Sequence, residues 1–236
     1  MNHSLLLQIT VAQDTLQSAQ EITDAPGEKM LSLWELTQEG GIIMIILAIL
    51  SIIAVYIFVE RFLAIRKAAK EDVNFMNNIR DFIHNGKIDA AKALCKSYDN
   101  PIARMIEKGI IRIGKPLRDI GTAIENIGQL EIDQLEKNIN TLKTIAGAAP
   151  MLGFLGTVIG MIKAFHQMYI SGNSIEISQL SGGIMQAMVT TVAGLIVGIV
   201  AFIGYNLLVA RVTRIVFKMQ TRTMEFMDLL EEPANQ

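Results

Sequence analysis

The chain has 236 residues, 51% of them hydrophobic, with a formal net charge of −2 and an isoelectric point near 6. A balance so close to neutral gives no general attraction to nucleic acid, and the apolar residues are gathered into long blocks instead of lying along amphipathic faces, which points to lipid. A single cysteine, Cys95, excludes an internal disulfide, and its helix-like setting DAAKALCKS reads as a buried core position.

Residues 1–41 read as an N-terminal segment outside the bilayer. Its apolar patch from Leu5 to Ala12 has no basic residues before it and is interrupted by Gln8, so cleavage as a leader is not expected. Downstream, MLSLWELTQ spaces Leu31, Trp34 and Leu36 as a short interfacial helix anchored by the only tryptophan. Residues 42–59, IIMIILAILSIIAVYIFV, are 18 uncharged residues bounded by Gly40-Gly41 and Glu60-Arg61. A helix of that length crosses most of a hydrocarbon core about 30 Å thick, so this is the first span.

Residues 60–143 read as a helical domain on the cytoplasmic side. The helix leaving the first span is predicted to run to about Ile83 and stop at Asn85-Gly86. Short helices follow in IDAAKALCKSY and, after Asn100-Pro101, in IARMIEKGIIRIG. Pro116 then starts a long helix toward the membrane, with Ile120, Ile124, Ile127, Leu130 and Leu135 at helical spacing. The second span is 144–170 and the third 184–210. The Ser/Gly-rich linker 171–183, SGNSIEISQLSGG, makes the two an antiparallel hairpin, and 211–236 adds a C-terminal helix.

Lysine and arginine set the orientation. Segment 60–143 holds 15 of the 21 basic residues, the tail after 210 holds four, the N-terminal region holds Lys29 alone, and the linker holds none. The positive-inside rule therefore places the N-terminus and the linker outside, and the large loop and tail in the cytoplasm.

The second span carries a stripe of small residues: Gly153, Gly156, Thr157, Gly160 and Ala164. The third carries Ala187, Thr191, Gly194, Gly198 and Ala201, with a GxxxG at Gly194 and Gly198. Such stripes let backbones approach closely, which is what holds helices together in lipid. Thr157, Thr190 and Thr191 lie deep in these spans. Their hydroxyls can bond back to a carbonyl three or four residues earlier, or can line a wet lumen and relay protons. Gln186, one turn before Thr190, serves either as a packing residue or as a pore residue. No Asp or Glu falls inside any span, and the basic groups there, Lys163 and His166, lie near the outer end where a lysine can snorkel. If ions cross, a partner must bring the titratable carboxylate. His3, His84 and His166 are scattered, and no metal or catalytic signature is present, so neither a cofactor nor an enzymatic reaction is expected.

The run IAGAAPMLGFLGTVIGMIKAF, followed by GGIMQAMVTTVAGLIVGIVAFIGYN, closely resembles the signature of the ExbB/TolQ/MotA proton-channel family, most of all its ExbB-like members. The likeness extends through the VERFLAIRKA exit of the first span and covers most of the chain from about residue 30. It implies an all-α membrane protein that assembles as a homopentameric ring in the bacterial inner membrane. Within that ring would stand a dimer of single-span ExbD-like partners, whose membrane aspartate carries the proton. With a TonB-like protein, the assembly would energise nutrient import across the outer membrane.

Within this resemblance, Thr157 and Thr191 fall on the family's pore-lining threonines, with Thr190 and Gln186 beside them. Pro150 and the glycines at 153, 156, 160, 194 and 198 fall on its helix-packing positions. One departure stands out: where many ExbB proteins carry a glutamate in GIxEALxxT, this chain has Gln186 in GIMQAMVTT. A mechanism that needs a carboxylate on the channel subunit is put in doubt, whereas one that uses the partner's aspartate is not. The competing expectations are a TolQ-like or other motor energiser, and a non-conducting membrane scaffold in which the small stripes serve packing alone.

Overall fold

A computed structural model describes residues 40–70, 72–171 and 177–231, and all regular structure among them is helical. Seven helices follow in order: α1 (Gly41–Ala68), α2 (Phe75–His84), α3 (Ile88–Ser97), α4 (Pro101–Ile111), α5 (Leu117–Glu136), α6 (Ile139–Ser171) and α7 (Ile177–Glu231). The interfacial helix expected around Trp34 lies outside the described residues, as do the remainder of 1–39 and residues 172–176 of the linker.

Three of these helices, α1, α6 and α7, are long and apolar enough to cross a membrane, and they contain the apolar runs 42–59, 144–170 and 184–210. In α1 one stripe is buried (Ile43, Leu47, Ala54, Ile57, Arg61 and Ile65), while Ile42, Ile52 and Tyr56 on other faces are two-thirds exposed or more. Lipid is the solvent that tolerates such a surface. α6 and α7 pack against each other as an antiparallel hairpin, and α1 lies against both.

α7 has 55 residues, so the third span and the tail form one continuous rod roughly 80 Å long. Its distal half is held by the second part of the core, where Phe226 and Met219 pack with Phe75, Ile79, Ile106 and Ile124 of α2, α4 and α5. Cys95 lies in this bundle at 2% exposure. Burial pushes its thiol up to about 12, so it stays protonated at neutral pH and acts as a small hydrophobe.

The structure corrects one predicted helix and adds a break after another. The helix leaving the first span stops at Ala68 instead of continuing to Ile83. No glycine or proline marks the break. Side chains capture the backbone and each other there: Asp72 accepts the Asn74 N–H at 2.9 Å and the Tyr98 hydroxyl at 2.7 Å, and Asn100 donates to the Lys70 carbonyl at 3.3 Å. The long helix expected after Pro116 forms as α5, with Ile120, Ile124, Ile127, Leu130 and Leu135 on it, and a break separates it from α6. Asn138 takes a left-handed φ of 63°, a conformation that asparagine tolerates better than most residues. In an unbroken helix the Gln134 carbonyl would accept the Asn138 N–H; here it accepts Arg61 Nη1 at 3.2 Å.

The other ends follow their local signals. Gly86 supplies a φ of 69° after α2, and Asn100 accepts the Ala103 N–H at 2.7 Å with Pro101 in the first turn of α4.

Candidate functional site

The two small stripes meet along the hairpin. A Cβ at Gly194 would stand 2.6 Å from the Ala149 carbonyl oxygen and 2.8 Å from the Gly153 Cα, so the backbones touch at this level. Toward the 171–183 linker, Gly160 faces Ala187 and the Gly183 carbonyl. Toward the other end, Gly198 accommodates the Pro150 ring, where a Cβ would lie 2.5 Å from Cγ. Pro150 sits inside α6 and donates no backbone hydrogen bond. The six residues assigned to helix packing, Pro150 and the five glycines, therefore all lie on the seam.

The polar residues divide into three environments. Thr190 is fully buried on the seam, against Gly156, and its hydroxyl donates to carbonyls of its own helix, Ala187 at 2.9 Å and Gln186 at 3.1 Å. Thr191, half-buried, reaches across the hairpin, its hydroxyl donating to the Gly153 carbonyl at 3.2 Å. In the regular i→i−4 pattern that carbonyl also receives the Thr157 N–H, and the Thr157 hydroxyl donates to the Phe154 carbonyl at 2.6 Å. Thr157 is likewise half-buried. The structure thus brings Thr157 and Thr191 together about one turn of α6 and leaves each hydroxyl with unused acceptor capacity.

Gln186 stands apart from them. Its Oε1 accepts from Lys163 Nζ at 3.4 Å, and its amide lies against the start of α1 near Gly41. The Lys163 pairing was not anticipated from the sequence, where this lysine reads as snorkelling alone. The register of the small stripes was the available signal: aligning Gly153 with Gly194 and Gly160 with Ala187 brings Lys163 beside Gln186.

Beyond the seam, both helices present large apolar side chains outward, among them Met151, Phe154 and Phe165 on α6 and Met188, Val192 and Ile199 on α7. A single hairpin therefore has one closed seam of small residues and broad apolar flanks, suited to lipid or to neighbouring helices. No group of three His, Cys, Asp or Glu residues among the described residues could hold a metal ion.

Residues 97–221, from the end of α3 to well beyond the third span, match the MotA/TolQ/ExbB proton channel family. The chain is 31% identical over 169 residues to biopolymer transport protein ExbB-like 3 of Synechocystis sp., covering 71% of this chain and 80% of that protein. It is 29% identical over 175 residues to ExbB-like 1 of the same organism, covering 73% and 68%. It is 37% identical over 86 residues to the Tol-Pal system protein TolQ of Haemophilus influenzae, covering 36% of this chain and 37% of that protein.

Proposed function

Because this chain belongs to the MotA/TolQ/ExbB proton channel family, we propose that it is the channel subunit of an inner-membrane motor driven by the proton motive force. Five copies would form a ring, with the α6–α7 hairpins lining the lumen and α1 outside them. The positive-inside rule orients the N-terminus to the periplasm and the α2–α5 bundle and the end of α7 to the cytoplasm. The observation that carries this reading is the pairing of Thr157 and Thr191 about the Gly153 carbonyl, within spans 144–170 and 184–210 that hold no carboxylate. Those hydroxyls can take a hydrogen bond from a protonated acid and pass it on, but they cannot hold a charge.

The proton carrier is therefore a partner: a dimer of ExbD-like single-span proteins inside the ring, each with a membrane aspartate. Neutralised by its proton, the aspartate leaves one threonine pair for the next. Each charge that crosses delivers about 2.3 kcal/mol per 100 mV of membrane potential to that motion. Thr190, closed into the seam, keeps the two helices at the spacing that presents the pair, and Gln186 with Lys163 stands at the periplasmic end.

The mechanical output passes to a TonB-like protein and drives nutrient import at the outer membrane. A TolQ-like output has support of its own in the similarity to TolQ, and the single-span partner that this chain retains on purification separates the two. The hydroxyl role is tested by Thr157→Val and Thr191→Val, which keep side-chain shape and remove the hydrogen-bonding group. Each is expected to lower proton flux at least about tenfold in vesicles carrying the chain with its partner, as loss of a positioned proton-transfer group does, while leaving the assembly intact. Full flux in both variants would disprove the relay.

A further inference from the structure

A cavity of about 750 Å³ opens where α1 leaves the membrane, between α1, the start of α4 and the end of α5. Four basic side chains line it, Arg61, Lys67, Arg104 and Lys137, against two carboxylates, Asp99 and Glu131. Both carboxylates are already engaged: Asp99 binds Lys67 at 2.7 Å and Arg104 at 2.8 Å, and Glu131 binds Arg104 through both oxygens at 2.6 Å. That leaves Lys137, and one unused donor on Arg61, which is otherwise ion-paired with Glu60. Arg61 is 9% exposed; it bonds its neighbour Glu60 and the Gln134 carbonyl, yet its Nε–H is buried without an acceptor. Among the described residues Lys137 has no hydrogen bond or ion pair; it sits in the exposed turn between α5 and α6.

The depth of this cavity narrows what can fill it. Glu60 and Arg61 follow directly on the uncharged run 42–59, and the bond from Arg61 to Gln134 fixes the end of α5 at the same level. Two further contacts mark the edge of the hydrocarbon there: Arg211 over the Phe62 ring at 4.2 Å and Lys143 near the Tyr205 ring at 5.9 Å. Basic residues flanking a span and a tyrosine beside them are features of the headgroup layer. An excess of fixed positive charge at that depth favours an anion that the bilayer itself presents.

We propose that this cavity holds the phosphate of an anionic lipid headgroup, bound by Lys137 and Arg61. The phosphate oxygens provide the acceptors that Asp99 and Glu131, engaged by Lys67 and Arg104, do not. A lipid seated there would tie the exit of α1 to the α5–α6 turn. The chemistry is shared by free inorganic phosphate, and the experiment separates the two sources.

The full chain, purified in detergent and delipidated, is titrated with phosphatidylglycerol, with phosphatidylcholine of the same acyl chains, and with inorganic phosphate. Bound lipid is read by native mass spectrometry and stability by thermal unfolding. Phosphatidylglycerol is expected to bind at least about tenfold more tightly than phosphatidylcholine. Loss of one basic group should weaken it about fivefold in Lys137→Gln, and charge reversal in Lys137→Glu should weaken it further. Lys137 lies in an exposed turn, so these variants preserve the fold even where Arg61→Gln does not. Equal binding of the two lipids overturns the proposal, as does undiminished phosphatidylglycerol binding by Lys137→Glu. If inorganic phosphate alone stabilises the chain as strongly and displaces the lipid, the cavity is a free-anion site and the lipid assignment falls. None of these readouts depends on proton flux, so the outcome is independent of the motor reading.

Discussion

Gly194 and Gly147 sit on neighbouring helices, yet the space around them differs completely. A Cβ at Gly194 would press on the backbone of α6, which cannot rotate away as a side chain can, whereas a Cβ at Gly147 meets nothing within 4 Å. Gly194→Ala should therefore cost about 1–3 kcal/mol through overpacking, and Gly147→Ala should be neutral or stabilise by up to about 1 kcal/mol through helix propensity. Unfolding in mixed detergent measures both, and equal effects would mean that the hairpin is looser than the structure shows. The same contrast explains why two adjacent threonines differ. Thr190 faces Gly156 and is sealed, while Thr191, a hundred degrees further round the helix, reaches the edge of the seam and the Gly153 carbonyl.

At the level of elements, the decisive features are the two interruptions that α1–α2 and α5–α6 share with no proline or glycine. Asn138 is the hinge of the second. At φ 63° its side chain bears a strain that glycine avoids and a β-branched residue suffers most. Asn138→Gly should leave stability within about 0.5 kcal/mol, and Asn138→Val should cost about 1–2 kcal/mol. Thermal unfolding of the two variants decides the matter: if valine were accepted as readily as glycine, the turn would not depend on the left-handed residue. The break has a purpose in packing, because it frees the Gln134 carbonyl for Arg61 and so joins α1 to the end of α5. α7, by contrast, continues without a break from the span into the bundle, since Ala201, Leu208, Val212, Ile215 and Met219 keep one buried stripe across the boundary.

On the scale of the whole molecule, the membrane hairpin and the extramembrane bundle are linked by charge as well as by α7. Arg104 joins α4 to Glu131 of α5 at 2.6 Å, and through Asp99 and Lys67 the network reaches α1. Glu131, on Arg104, holds that guanidinium above its ordinary pKa, while Lys67, hydrogen-bonded to Asp99, holds the Asp99 carboxyl below the usual range; Tyr98 does the same for Asp72. Carboxylates depressed in the folded state stabilise it above their unfolded pKa, near 3.9. That contribution is lost as pH falls through the lower folded values. The bundle should therefore loosen on acidification below about pH 4, and Asp99→Asn should flatten that dependence in a pH series of thermal unfolding. At neutral pH, Glu131→Ala should cost about 1–2 kcal/mol; this is less than for a fully buried pair, because Arg104 retains contact with water and keeps Asp99. A pH profile unchanged by Asp99→Asn would show that the network is ornamental to stability.

Much of this protein could be read along the chain because the determining signals are local. Three long apolar runs need only the length of a helix and the thickness of a bilayer, and Asn100-Pro101 and Asn85-Gly86 announce helix ends through their own backbone preferences. The family match, too, covers residues 97–221, which contain the second and third spans with their small residues and threonines. What only the tertiary structure decided is which partner each polar group meets. Thr191 finds a carbonyl 38 positions away, Lys163 finds Gln186, and Arg61 finds the end of a helix 73 positions on. Helical periodicity fixes the face of a residue within its own helix. The axial register of one helix against another is set by backbone contact at glycines distributed over both, and that is a property of the packed pair.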